Sequence, residues 1–255
     1  MQPPFESWFL SSPPVPPRSR LYSLEPIGIG TAFVESLTGY TARLAEAHSV
    51  SVGDLVGRVL SELLSDPKAP IITAAAKACR VGGHGFRACR YGVNGVTDRA
   101  ESWAQALEAA TARRDLRYLT LLPLRRVLPE ELFRRRRAWC SVCYDQWRAD
   151  GRIIYEPLIW AIETSSHCLV HARPLDCVCH HCARPLSPLG VFSRPGYCER
   201  CGGWLGAPDH GSRRAASGEG ETWSCTQVGA LLAMLPRVNP VTVRDSFRRN
   251  LLSLA

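Results

Sequence analysis

The sequence predicts a mainly α protein whose second half is built around cysteine-rich modules. Two observations carry that expectation. Apolar residues recur every three or four positions between Phe33 and Leu63, the spacing of helices that bury one face. Further along, ligand-type residues come in four pairs, each separated by two residues: Cys140/Cys143, Cys168/His171, Cys179/Cys182 and Cys198/Cys201. The chain has 255 residues, enough for one good core and a smaller metal-held part.

Six prolines among small polar residues make positions 1–20 a flexible or polyproline-like arm, without the basic start and apolar stretch of a signal peptide. Residues 21–30 read as extended, with turns forced by Pro26 and the glycines. The arm and this segment together offer extended backbone and apolar side chains that no obvious core element of their own claims, which suggests docking on a partner. Gly28-Ile29-Gly30-Thr31 lacks a following Gly-Lys-Ser/Thr, so it is no phosphate loop.

Phe33, Leu37, Tyr40, Leu44 and Ala47 form the stripe of a first helix, broken at His48-Ser49. Ser51 is placed to cap a second helix through Val52, Leu55, Val56, Val59, Leu60 and Leu63. Two helices joined by a tight turn fit a helix-turn-helix, and equally any small helical hairpin. Asp66-Pro67 ends the pair. The glycine-rich stretch 71–95 is irregular, with His84 in its loosest loop and Cys79 and Cys89 read as small buried residues. Thr97 caps a third helix through Trp103, Leu107 and Ala110. An apolar segment over 116–128 ends at Pro129.

The net charge of +8 points to an anionic partner, with nucleic acid the default. Only Lys68 and Lys77 are lysine among the 31 basic residues. Arginine suits bidentate phosphate and guanine contacts, although a GC-rich genome would also enrich it together with Ala, Gly and Pro. The run Arg134, Arg135, Arg136, Arg137 stands directly before the first cysteine pair and reads either as a phosphate-contacting edge or as a solvated face.

The four pairs supply eight donors, the number that closes two tetrahedral zinc sites. Cys140, Cys143, Cys168 and His171 make a Cys3His set, with His167 as the competing imidazole. The 24 residues between Cys143 and Cys168 carry enough apolar bulk for a short strand and helix. Cys179, Cys182, Cys198 and Cys201 make a CxxC-x15-CxxC set with zinc-ribbon spacing, Cys177 competing with Cys179. The expectation is two Zn2+ per chain, in a reducing cytoplasm where thiols bind metal rather than pair. Closed sites of this kind staple a fold, whereas a catalytic zinc keeps a position for water. No HExxH, no deaminase His-x-Glu with Pro-Cys-x-x-Cys and no prominent acidic cluster occurs, so the sequence points to recognition rather than catalysis. No apolar run approaches bilayer length.

With these residues in view the chain resembles the TniQ family of transposon target-selection adaptors. Three segments carry the resemblance: residues 21–26 with Glu35-Ser36-Leu37, Tyr40 and Arg43-Leu44-Ala45; Trp139-Cys140-x-x-Cys143 with Leu158-x-Trp160 and Cys168-x-x-His171; and Cys179-x-x-Cys182 with Gly196-Tyr197-Cys198-x-x-Cys201. It implies a helix-turn-helix domain over 21–130 and tandem zinc modules over 131–208. It also implies recruitment of a AAA+ ATPase, and through it a transposase, to a chosen DNA site. Some relatives dock on CRISPR effector complexes with their guide RNA. Longer relatives continue into a further DNA-binding helical region. The helices expected over 223–235 and 241–254, after a polar linker at 209–222, match its opening, as in a truncated form. The competing reading is a zinc-containing helix-turn-helix transcription regulator.

Overall fold

The computed structural model describes residues 18–63, 91–125, 128, 132–207 and 219–237. The proline-rich arm up to residue 17, Asp66-Pro67, Cys79, His84, Cys89, most of the linker and the helix expected over 241–254 lie outside the described residues. Those that are described are helical, with isolated bridges and no strand.

Helix α1 spans Leu37–Ala47, starting four residues later than the stripe from Phe33 suggests. Ser36 is the reason: its Oγ accepts from Gly39 N at 3.0 Å, the bond of an N-cap. The residues before it are held extended, because Ser36 N donates to Glu156 O and Leu158 N to Val34 O. Leu37, Tyr40 and Leu44 are fully buried, and Ser49 in the left-handed region turns the chain away. Ser51 caps α2 as expected, accepting from Asp54 N at 3.0 Å. Helix α2 opens as Val52–Asp54, widens into a π-helical stretch Leu55–Leu60 and closes as Ser61–Leu63. Thr97 caps α3, Asp98–Thr111, and Asp98 and Glu101 in its first turn favour the positive end of the helix dipole. The apolar segment after it forms two 3-10 turns, Leu116–Leu119 and Leu122–Leu124.

Residues 21–30 are not a free docking segment. Arg20 N and Leu21 N both donate to Ala110 O at 2.8 Å at the end of α3. Tyr40 Oη donates to Leu24 O, Arg43 to Glu25 O, and the Tyr22 ring stacks on His48 at 4.1 Å. Fully buried Glu35 accepts two bonds from Arg43, at 2.9 and 2.7 Å, and one from Ile27 N. The strap is therefore part of the fold, and its apolar residues Leu21 and Pro26 are buried in it.

Helix α4, Ser141–Ala149, and a 3-10 turn, Leu158–Ala161, fill the space between the first two ligand pairs. The short strand expected there does not form; residues 153–156 run extended and pair only through the Glu35–Pro157 bridge. Helix α5, Glu219–Met234, folds back onto the body. A Cβ on Gly229 would stand 3.0 Å from Leu169 Cδ1 and 3.1 Å from Ala32 Cβ, so glycine allows a closer approach than a larger residue would without its neighbours giving way. One continuous cluster of buried side chains runs from Leu21 through α1–α4 to Leu235. This core is continuous across the boundary expected near residue 130.

Candidate metal centres

The eight expected donors converge into two clusters, within each of which the ligand atoms lie within 4.8 Å of one another. Around the first, Cys143 Sγ lies 3.5 Å from Cys168 Sγ, and His171 Nδ1 lies 3.4, 3.3 and 3.6 Å from the sulfurs of Cys140, Cys143 and Cys168. Around the second, Cys179–Cys201 and Cys182–Cys198 are each 3.8 Å apart. A tetrahedron with metal–sulfur bonds of about 2.3 Å has edges of about 3.8 Å. Both donor sets therefore fit a four-coordinate ion. His171 Nε2 meets Gln146 Oε1 at 3.0 Å, which fixes the tautomer that offers Nδ1 to a metal. The competitors stand aside: His167 Nδ1 bonds Ser166 Oγ, and Cys177 lies beside the Leu175 carbonyl.

Three of the four pairs use one backbone device. Cys168, Cys179 and Cys198 each donate their N–H to the carbonyl five residues on and accept from the N–H four residues on. The residue at the fourth step, Ala172, Ala183 or Gly202, sits in the left-handed region at φ 46, 52 and 71°. Flanking bridges repeat in the same register: His167–Pro174, Val178–Pro185 and Tyr197–Trp204. The turn aims amides at sulfur; Arg200 N lies 3.4 Å from Cys198 Sγ. Burial pushes the Cys198 thiol up, but amides of Cys201 and Arg200 and the neighbouring thiols bring it down to about 7. Its partner Cys179 is pushed up by burial to about 12. In the first centre, thiol hydrogen bonds with Cys140 and Cys168, followed by burial, raise Cys143. Four donor atoms gathered within 4.8 Å of one another suit a cation, whose binding would release the thiol protons. The fourth pair is different: Cys140 is the N-cap of α4 and Cys143 lies in its first turn.

Aromatic rings wall the first centre. Tyr144 packs edge-on to Trp160 at 5.4 Å, and Trp147 stacks on Tyr155 at 4.8 Å and on Trp160 at 5.8 Å. Tyr144 also reaches Trp204 of the second module at 6.0 Å.

The arginine run does not form one edge. Arg137 is buried and pairs with Glu156 at 2.6 Å, while donating to Tyr197 O at 3.0 Å and Tyr144 Oη at 3.3 Å. Burial opposes its charge, but Glu156, Tyr144 and Glu199 together raise its pKa. Arg134 turns inward to the carbonyls of Glu163 and Ser165. Arg135 and Arg136 alone are exposed. The chain bends at Arg135 and Arg136, which leaves these two outside while Arg134 and Arg137 turn inward, and Glu156, the acid that claims Arg137, is nineteen positions away in sequence. No local signal marks it.

Fold and site define a largely helical protein with two donor sets, each of which could hold a four-coordinate metal ion. The TniQ family model matches residues 26–175, more than half of the chain. The protein belongs to the TniQ family, which is associated with DNA transposition. The matched region takes in the second half of the strap, α1–α4 and the first metal centre; the second centre and α5 lie beyond it. Comparison with curated proteins gives no match. Among the described residues no helix is long and apolar enough to cross a membrane.

Proposed function

We propose that this protein is a non-catalytic targeting adaptor of DNA transposition. It binds DNA, holds a AAA+ ATPase and thereby brings the transposase to the target site, in the bacterial cytoplasm. Its two ions are zinc, which suits closed sites of sulfur and imidazole donors. The family match carries this reading. The closed metal centres support it, because they hold surfaces in place and offer no reacting position.

A helix-turn-helix regulator would need a cationic exposed face on α2. Its exposed side chains are Asp54, Arg58 and Glu62, with Asp54 paired to Arg58 and Glu62 to Arg20. That face favours a protein contact over a DNA groove. A CRISPR effector with its guide RNA is a further candidate partner, read by the same capture assay.

Capture of the cognate ATPase on DNA by the full chain tests the adaptor; no capture, together with a self-contained operator footprint, would favour the regulator. DNA association should be salt-sensitive, and of the four arginines in the run Arg135 and Arg136 are the two exposed to solvent. Each phosphate contact adds about 0.9 to the slope of log affinity against log salt, so replacing both by alanine should flatten it by about 1.8. An unchanged slope returns both residues to a solvated face.

A further inference from the structure

Beside α1 lies a cleft that neither metal centre uses. Ser36 and Thr38 at the start of α1, Asn94, and Arg134, Arg136 and Arg137 line it, with Phe133 and Trp160 among its apolar walls. Its volume of about 30 Å³ holds about two waters' worth of material, a single small group rather than a nucleotide.

Three N–H groups on its lining residues are buried and have no hydrogen-bond partner: Arg134 Nε, Arg137 Nε and Trp160 Nε1. Buried donors are almost always satisfied, and an orphan asks for an acceptor. Three on one cleft, all donors, ask for an acceptor with several oxygens. The Arg137 and Trp160 side chains are held rigidly, being almost wholly buried. The charge has the matching sign. Glu156 is the one acid in the lining, and it is engaged by Arg137 at 2.6 Å. Arg134 meets Glu163 only at 3.7 Å, and that carboxylate is largely in water. Helix α1 runs eleven residues from this point with no acidic residue in its first turn, so its positive end meets the cleft with neutral caps only, Ser36 on Gly39 N and Asn94 on Thr38 N. Arg136 is exposed beside the opening.

We propose that this cleft binds one phosphate group, and that the group is a backbone phosphodiester of DNA. The assignment to DNA rests on the DNA-binding part of the proposed function; the oxyanion site does not. A phosphodiester presents two unesterified oxygens at the end of an otherwise bulky ligand, which suits a site that admits one group and excludes a base. Seated there, it would touch the helical half through the start of α1 and the metal-bearing half through residues 134–137.

The test uses the zinc-loaded full chain, labelled with ¹⁵N, titrated with inorganic phosphate and separately with a short duplex. Both should shift the Trp160 indole N–H and the Nε–H signals of Arg134 and Arg137. Arg136→Gln should weaken both titrations about tenfold, the loss expected for one charge-assisted hydrogen bond. Arg58→Gln, on the far exposed face of α2, should leave the phosphate titration unchanged. Resonances that stay still while other signals move would overturn the site. A response to inorganic phosphate and none to the duplex would overturn the DNA assignment. Either failure with ATPase capture intact would leave the adaptor reading standing, whereas loss of capture with the shifts present would strike that reading and spare the cleft.

Discussion

The two metal centres carry similar ligands and sit in unlike surroundings. Around the first, Cys140, Cys143 and Cys168 are at most 2% exposed, inside a shell of aromatic rings and under α5, which touches Leu169 through Gly229. Around the second, Cys201 is exposed and Cys182 half-buried. That module is fastened by separate links: Gly53 N to Val191 O at 3.1 Å, Arg137 N to Leu186 O at 3.0 Å, Ala207 N to Ser141 O at 3.1 Å, and the Arg194–Glu46 pair at 2.6 Å. The first centre is thus a donor set built into the hydrophobic core. The second is a stapled accessory clamped to that core. The family match respects the same division, since it ends at residue 175.

The sharpest way to break this comparison is to remove one ion at a time. Cys143→Ser should cost on the order of 10 kcal/mol, the scale of a structural zinc site, and far-UV circular dichroism should show loss of helix throughout the chain. Cys198→Ser should release one ion by metal analysis and melt the second module, leaving the helical signal largely intact. Equal loss of helix in both variants would abolish the distinction. Metal analysis finding fewer than two ions in the parent protein would remove its basis.

A smaller effect should come from the clamp. Arg137→Ala leaves Glu156 buried and without its cation, at a cost of about 3–5 kcal/mol in urea unfolding. It should also raise protection-free exchange at amides of the second module before those of α1. Arg137→Met, which fills the space without the charge, would separate packing from pairing by the same measurement. The smallest change concerns the turns behind the cysteines. Ala172 and Ala183 occupy left-handed backbone that glycine adopts without strain. Ala172→Gly and Ala183→Gly should each stabilise by about 1 kcal/mol, before glycine's extra unfolded entropy is subtracted. Ala172→Gly should show as a higher midpoint of global unfolding, and Ala183→Gly as slower exchange confined to the second module.

The parts legible in the sequence are those written locally. Ligand spacing placed all eight donors, because a knuckle is a four-residue device whose geometry needs no distant help. Ser51 and Thr97 announced their helices because a cap lies within three residues of the amide it binds. What stayed hidden depends on partners far along the chain. Tyr155 Oη meets Phe33 O across 122 positions, and contacts of that kind hold the strap that sequence reading assigned to a partner. The inward turn of Arg134 and Arg137 likewise follows from carbonyls and a carboxylate that no periodicity reveals. Gly229 gave no sign that α5 would dock on the first centre, because its meaning lies in what faces it.

Exposure of Cys201 also sets how the two ions come and go. A chelator can approach the second ion directly and displace thiolates one after another, so its release should quicken in proportion to chelator concentration. At the first centre His171 is half-buried but the three sulfurs are sealed, so displacing the thiolates must wait for the core to open. Release there should reach a ceiling rate that no further chelator raises, equal to the rate at which the surrounding rings part. Metal exchange would then act as a clock for two different motions of one chain, one of a surface turn and one of the core itself.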